Sequence, residues 1–354
     1  MPRKILRWWP VPVVVFLLVY PWIWRAPYFH VLGFNVLLFA TMATSWNIMG
    51  GYTGYKSLGH STFYGLGAYL VALAAVHLGW NPLLSAPLAA LVVALVAVLL
   101  GWIMLRTSGS AFVIATIAML LIFRVLALNL RSITKGAPGL SQPLPPWSPE
   151  FSRMPFYYYM LAWLVISLLT SAYIRRSRFG LGLLAIRDDE GKAQMVGVST
   201  TFYKVLAFAI SAFFVAVGGG VWSYSTTHIS PAFAFDIIVG VDMILMTMLG
   251  GLGTLWGPVL GAFILVPASD FILFTFGSTA VHLAIFGALM TAIILFMPRG
   301  ILPTVRSWLA DREAPRAAHA GAMSMLEMHD LQGVDGDGEG VSPAKIESGS
   351  KVKS

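Results

Sequence analysis

The sequence predicts an all-α protein that crosses a membrane about ten times and has both termini on the cytosolic side. The chain is 58% hydrophobic and only 11% charged, whereas a soluble domain carries about 25% charged residues. Its apolar residues fall in runs near the roughly 20 residues that a helix needs to cross the hydrocarbon core. Two glycine-rich segments, at 50–69 and 250–262, interrupt these runs. They predict broken or re-entrant backbone at membrane depth.

The predicted spans follow one another along the chain, and turn or charge signals separate them. They lie at 9–24, 28–48, 57–79, 83–105, 110–130, 155–174, 204–224, 235–250, 257–276 and 279–297. The spans near positions 57 and 250 contain glycine, so re-entrant segments or half-helices are an alternative there.

The loop charges predict the orientation in the membrane. If the N-terminus lies inside, most Lys and Arg residues of the short loops also lie inside, as the positive-inside rule requires. The outer loops receive only Arg25, Arg131, Lys135 and Arg153. The net charge of +8 is therefore explained by orientation, and nucleic acid is not a predicted partner.

Two regions differ in composition. Residues 1–310 form the predicted membrane domain, which includes a polar cytosolic loop at 175–204. Residues 311–354 hold eight of the 15 acidic residues and have no sustained apolar period. Such a composition predicts a disordered cytosolic tail.

Several kinds of chemistry are excluded by missing residues. The chain has no cysteine, so thiolate metal sites and cysteine nucleophiles are excluded. It also lacks a phosphate-binding Gly-x-x-x-x-Gly-Lys-Ser/Thr loop and the zinc and serine hydrolase motifs. We therefore predict no catalytic residue, no metal site and no bound cofactor. If ATP drives a transport process, another chain must hydrolyse it.

Small residues recur at four-residue intervals in both glycine-rich segments. One set is Ser57, Ser61 and Gly65, and the other is Gly253, Gly257 and Gly261. We expect each set to form a stripe on one helix face, where another backbone can approach closely. Two interpretations stay open: helix packing alone, or a translocation path between two halves of a dimer. The second interpretation also includes Gly59 and Gly67.

Two of the ionisable residues within predicted spans, where charge is costly, are functional candidates. His60 lies in the first glycine-rich segment and Asp242 lies deep in the span at 235–250. Each has a structural interpretation as a hydrogen-bonding residue and a functional one on the translocation path.

The polar loop contains a candidate docking helix. Asp188 or Asp189 is placed to cap it, Lys192 to pair with the cap, and Gly197 to end it in a left-handed turn. The predicted coupling residues of this loop are Arg187, Asp188, Asp189, Glu190, Ala193 and Gly197. A solvated connector is the alternative.

Three segments together resemble the LivM-type membrane subunit of branched-chain (hydrophobic) amino-acid ABC importers. The first contains Asn47, Gly51, Tyr52, Gly54, Ser57, Leu58, Gly59, His60, Phe63, Gly65, Gly67, Ala68 and Tyr69. The second contains Arg176, Ser177, Gly180, Ala185, Ile186, Arg187, Asp189, Glu190, Ala193, Gly197, Tyr203 and Lys204. The third is the run from Gly250 to Ala262.

The resemblance implies a multi-pass permease subunit in a bacterial or archaeal cytoplasmic (inner) membrane. Its implied partners are a second, homologous permease subunit, two cytosolic ATPase subunits that bind ATP and Mg, and an extracytoplasmic binding protein that delivers the small-molecule substrate. The polar loop would be the coupling helix. Gly191 and Lys192 depart from the family pattern on the contact surface of this loop. Tyr55 and Lys56 also depart from it, so urea or short amides are alternative substrates.

Two other classes of function remain as rivals. An ion-coupled secondary transporter would use His60 and Asp242, although intramembrane acids are scarce. An integral membrane enzyme is disfavoured because no catalytic cluster is present.

Overall fold

The computed structural model describes residues 10–24, 26–147, 153–276 and 300–305, and the isolated positions 284, 287, 288, 291, 295, 307 and 308. Residues up to Thr304 form one structural unit, and the description below is of that unit. The predicted tail at 311–354 and nearly all of the predicted span at 279–297 lie outside the described residues.

Long helices account for most of the described chain, in agreement with the predicted all-α class. They are α1 (Pro10–Ile23), α2 (Pro27–Gly50), α3 (His60–Leu78), α4 (Pro82–Met104), α5 (Gly109–Asn129), α7 (Met154–Arg176), α10 (Thr200–Thr226), α12 (Ile237–Gly250) and α13 (Gly257–Phe276). Each coincides with a predicted span to within a few residues. Short helices are α6 (Arg131–Thr134), α8 (Arg178–Asp188), α9 (Glu190–Met195) and α11 (Pro231–Ala234).

Eight segments of the described chain are long and apolar enough to cross a membrane. One of them, Pro231–Gly250, is interrupted between α11 and α12. Because α12 has 14 residues, it is about 21 Å long and shorter than a ~30 Å hydrocarbon core. The expectation of a half-helix near position 250 agrees with this length, whereas α3 is a continuous helix of 19 residues.

Local signals explain where the helices begin and end. Gly79 ends α3 in the left-handed region, at φ +63°, which favours glycine because it has no Cβ. Two residues later the Asn81 side chain accepts a hydrogen bond from the Leu83 backbone N–H at 3.0 Å and caps α4. Pro82 occupies the first turn of α4, where no backbone N–H is needed.

The core lies around α2 and α10. In the most apolar stretch of each helix, 78% of the residues of α2 and 72% of those of α10 are buried, against 28% for α5. The central helices therefore contact protein on most sides, and α5 presents apolar side chains such as Ile114 and Ile122 outward.

Glycines bring α3 and α10 into backbone contact. A Cβ added to Gly67 would lie 2.1 Å from the Ala216 carbonyl oxygen, and one added to Gly219 would lie 2.0 Å from the Tyr64 carbonyl oxygen. Each helix thus has a glycine where the other backbone passes, as small-residue packing requires. Gly67 is among the residues predicted from the sequence. Gly219 is not, although the three consecutive glycines at 218–220 are a visible signal.

A short antiparallel pair of β-strands joins two of the segments that connect helices. In this pair β1 (Leu140–Ser141) bonds to β2 (His228–Ile229), with Leu140 opposite Ile229. The pair involves only four residues and does not alter the fold class.

Candidate functional site

The two glycine-rich segments meet in space. Asn47, near the end of α2, donates from Nδ2 to the Thr254 carbonyl oxygen at 2.9 Å. Its Oδ1 accepts from the Gly253 backbone N–H at 2.8 Å. We call the place where residues 51–54 meet residues 251–254 the glycine junction. Each segment follows one long helix and precedes another, so the helix–loop–helix order of α2–α3 is repeated in α12–α13.

The backbone of the junction is not helical, and this corrects the predicted stripes. Three of its glycines have positive φ values: +79° at Gly54, +125° at Gly251 and +75° at Gly253. Residues with a Cβ rarely adopt this backbone conformation. Ser57 therefore precedes α3, and Gly253 precedes α13. Within each predicted stripe, only the last two residues lie on the helix.

The glycines on or directly before these helices make close contacts within this chain. A Cβ on Gly261 would lie 1.8 Å from the Met246 carbonyl oxygen of α12, and one on Gly59 would lie 2.2 Å from the Thr116 carbonyl oxygen of α5. Gly65 faces Phe235, and Gly257 faces Thr254 of its own preceding loop. These contacts account for the small residues by packing. Their role on a path between subunits stays a prediction.

His60 is fully buried at the start of α3. Its Nε2 is 2.8 Å from the Ser211 hydroxyl of α10, and its ring packs edge-to-face against Phe63 and Phe208. Its Nδ1 and the hydroxyl groups of Ser57 and Ser61 have no hydrogen-bond partner among the described residues.

Asp242 is half-buried on α12. Among the described residues it forms no hydrogen bond or salt bridge, so the hydrogen bond that the structural interpretation requires is not found there. The neighbouring Asp236 has a local function, because its carboxylate caps α12 by accepting from the Ile238 N–H at 3.0 Å.

The polar loop contains two capped helices where one was expected. Ser177 caps α8 at the Gly180 N–H. Asp189 caps α9 by accepting from the Lys192 N–H at 3.0 Å, and the Lys192 ammonium lies 3.2 Å from the same carboxylate. Gly197 is left-handed at φ +85°. The predicted cap, ion partner and stop signal are thus confirmed, but Arg187 and Asp188 belong to the preceding helix.

Glu190 is bonded within this chain, an arrangement that was not predicted from the sequence. Its carboxylate accepts from the Lys204 ammonium at 2.5 Å and from the Tyr55 hydroxyl. The Lys204 ammonium, on a side chain only 4% exposed, also donates to the Leu105 carbonyl oxygen at 3.0 Å. Lys204 at the start of an apolar span and Tyr55, which departs from the family pattern, were the available signals.

Charge and burial oppose each other at Glu190. Burial raises the pKa of the Glu190 carboxyl, but hydrogen bonds from Lys204 and Tyr55 outweigh burial, and the pKa is lowered overall. Burial and the Glu190 carboxylate both raise the pKa of the Tyr55 hydroxyl, so Tyr55 stays protonated. Glu190 is therefore charged at neutral pH and serves as an anchor of α9.

The exposed surface at the end of α9 includes two apolar side chains. Ala193 is buried within this chain, whereas Met195 and Val196 are 80% and 77% exposed. Asp188 is exposed as well. Of the predicted coupling residues, Glu190 and Ala193 face inward and Arg187 reaches the Gly51 carbonyl oxygen. Met195 and Val196, which were not predicted, are therefore exposed apolar contacts at the end of α9, beside the exposed polar side chains of Lys192 and Gln194.

Comparison with known proteins identifies similar sequences. The family model for the branched-chain amino acid transport system permease component matches residues 32–294. A high-affinity branched-chain amino acid transport system permease protein, LivM of Salmonella typhimurium, is 29% identical over 299 residues, covering 77% of this chain and 69% of the relative. BraD of Pseudomonas aeruginosa, with the same description, is 30% identical, covering 43% and 48%.

A relative with a different printed function is also similar. The autoinducer 2 import system permease protein LsrC of Klebsiella pneumoniae is 30% identical over 111 residues, covering 30% of this chain and 32% of the relative. No solved structure matches the chain.

Proposed function

Because this chain belongs to the family of branched-chain amino acid transport system permease components, we propose that it is the membrane-spanning subunit of an ATP-driven importer. The importer translocates branched-chain or other hydrophobic amino acids that an extracytoplasmic binding protein delivers. A second, homologous permease subunit completes the path, and two separate ATPase subunits bind and hydrolyse ATP with Mg. The chain acts in a cytoplasmic (inner) membrane, and transport needs no covalent bond between the chain and its substrate.

The observation that carries this proposal is the helix pair α8–α9. Both helices are capped, Glu190 ties them to Lys204 at the start of α10, and Met195 and Val196 are left exposed at the tip. Two adjacent exposed apolar side chains outside the spans offer a contact to another protein, because burial of apolar surface is favourable. An ATPase subunit is the partner that the family assignment supports.

The substrate class is the least specified part of the proposal. The relatives LivM and BraD support branched-chain amino acids. The similarity to LsrC, although confined to 111 residues, shows that a related permease is named for a different substrate. Urea and short amides remain the second candidate, and an uptake assay with loaded binding proteins separates these classes.

Transport by the complete complex should require ATP and no titration of His60 or Asp242. His60→Gln and Asp242→Asn keep approximate size and hydrogen-bonding capacity but remove the titratable group. We expect both variants to keep more than about half of ATP-driven uptake, because ATP supplies the energy. Uptake of labelled leucine is measured in proteoliposomes, with and without ATP and with and without a proton or sodium gradient.

One result would contradict the ATP-driven importer function. Gradient-driven uptake without ATP, abolished by Asp242→Asn, would assign the chain to the secondary transporters.

The docking role of α9 has a separate test. Met195→Asp places a charge in the proposed apolar contact, and loss of a contact worth about 1.5 kcal/mol should weaken ATPase binding roughly tenfold. The measurement is the amount of ATPase subunit that copurifies with the permease at decreasing ATPase concentration. Thr107→Asp places the same charge at an exposed position outside the helices, between α4 and α5, and this control should bind normally. Equal retention of the ATPase by both variants would argue against docking through α9.

A further inference from the structure

Arg187 links the helix pair α8–α9 to the glycine junction. It lies in the last turn of α8, and the next residue but one, Asp189, caps α9. Because caps and helix ends hold this stretch, a movement of α9 displaces the Arg187 backbone with it. The side chain reaches the first glycine-rich segment, since its Nη1 donates to the Gly51 carbonyl oxygen at 2.8 Å.

The Arg187 side chain occupies space beside two glycines, Gly54 and Gly253. A Cβ on Gly253 would lie 2.5 Å from Arg187 Nη1, and a Cβ on Gly54 would lie 3.3 Å from Arg187 Cγ. The Arg187 side chain therefore runs past the first glycine-rich segment and ends between the two. Glycine at these positions leaves the space that it occupies.

Electrostatics favour a cation at this place. Gly51 is the C-cap of α2, and the carbonyl groups at a helix C-terminus carry partial negative charge. Asn47 of the same helix end binds Gly253 and Thr254. A displacement of Arg187 thus acts on Gly51, and through Asn47 on the second segment as well.

The ends of four helices lie at or near the glycine junction. The C-termini of α2 and α12 lead into it, and α3 and α13 begin within ten residues of those C-termini. The space around Arg187 is not closed, because an open cavity lined by Thr53, Lys56, Ser108 and Phe112 lies beside it. The guanidinium thus has room to change partners when α8–α9 moves.

We propose that Arg187 is the positioning residue that passes movement of the docked helix pair to the glycine junction, and through it to the helix ends that open and close the path. This inference rests on the proposed importer function. It differs from a docking role, because the Arg187 guanidinium acts inward on the Gly51 carbonyl oxygen.

The test uses the complete complex with Arg187→Gln, which removes the positive charge and the planar set of guanidinium N–H donors. We expect normal ATPase copurification and ATP hydrolysis within about twofold of wild type, while uptake per ATP hydrolysed falls at least tenfold. Arg187→Lys keeps the charge and a single donor, so it should recover part of that ratio. Arg178→Gln, at an exposed position at the other end of α8, is the matched control and should keep the wild-type ratio.

A conformational readout separates transmission from a merely structural role. The chain has no cysteine, so Lys56→Cys in the first glycine-rich segment can carry a single fluorescent label. In the complex with native Arg187 the label should respond to ATP, and in Arg187→Gln the response should be lost although ATP is hydrolysed. If Arg187→Gln fails to assemble, the same measurement is made in Arg187→Lys, where a reduced response is expected.

The other outcomes contradict either the role of Arg187 or the importer function. An unchanged ratio of uptake to hydrolysis in Arg187→Gln overturns the inference, as does an unchanged label response in the lysine variant. Absence of ATP-driven uptake in the wild-type complex would instead contradict the proposed function itself.

Discussion

Replacing Gly261 with leucine is expected to destabilise the chain severely and to abolish uptake. Even the Cβ of an alanine would lie 1.8 Å from the Met246 carbonyl oxygen, which is far inside van der Waals contact. Backbone atoms of α12 cannot rotate away as a flexible side chain can, so α12 and α13 must separate. Overpacking of a core costs about 1–3 kcal/mol, and occasionally more; a clash with backbone places Gly261→Leu at the upper end.

The measurement is thermal unfolding of the purified permease in detergent, followed by uptake in the reconstituted complex. Gly261→Ala should show the same defect in weaker form. Ile264→Phe adds bulk on the exposed side of the same helix and should behave as wild type. A Gly261→Leu variant with unchanged melting temperature and uptake would show that α12 and α13 are not in backbone contact.

Glu190→Lys is expected to destabilise the attachment of α9. The substitution removes the anion that pairs with Lys204 and places a second cation beside an ammonium whose side chain is only 4% exposed. Removing one partner of a buried pair costs roughly 3–5 kcal/mol, and the 26% exposure of Glu190 lowers this to about 2–3 kcal/mol. A lower melting temperature should therefore accompany any loss of transport.

The charge-swapped double variant Glu190→Lys/Lys204→Glu should recover part of the lost stability, because the pair is restored in reverse. Asp188→Lys alters charge by the same amount at an exposed acid and should leave the melting temperature unchanged. Stability should also fall as pH falls through the lowered pKa of Glu190, because folding lowers the pKa of this carboxyl and its contribution is present only while it is charged. A stable Glu190→Lys variant that loses only ATPase binding would instead make Glu190 a docking residue.

Features that depend on neighbouring residues could be predicted from the sequence alone. The long helices of the described chain begin and end within a few residues of the predicted spans, because apolar runs, proline and glycine act over one or two turns. The cap at Asp189, its pairing with Lys192 and the stop at Gly197 all lie within eight residues of one another. The family assignment likewise came from motifs along the chain.

Features that join distant parts of the chain were decided only by the tertiary structure. Asn47 binds Gly253 across 206 positions, Arg187 reaches Gly51 across 136, and Tyr55 bonds to Glu190 across 135. Nothing in the local sequence of Glu190 distinguishes it from the exposed Asp188, so both were predicted as docking residues. The difference arises because Lys204 and Tyr55, from two other segments, meet beside one acid and not the other. Local patterns determine which backbone forms, but the partner of a side chain depends on how the helices pack.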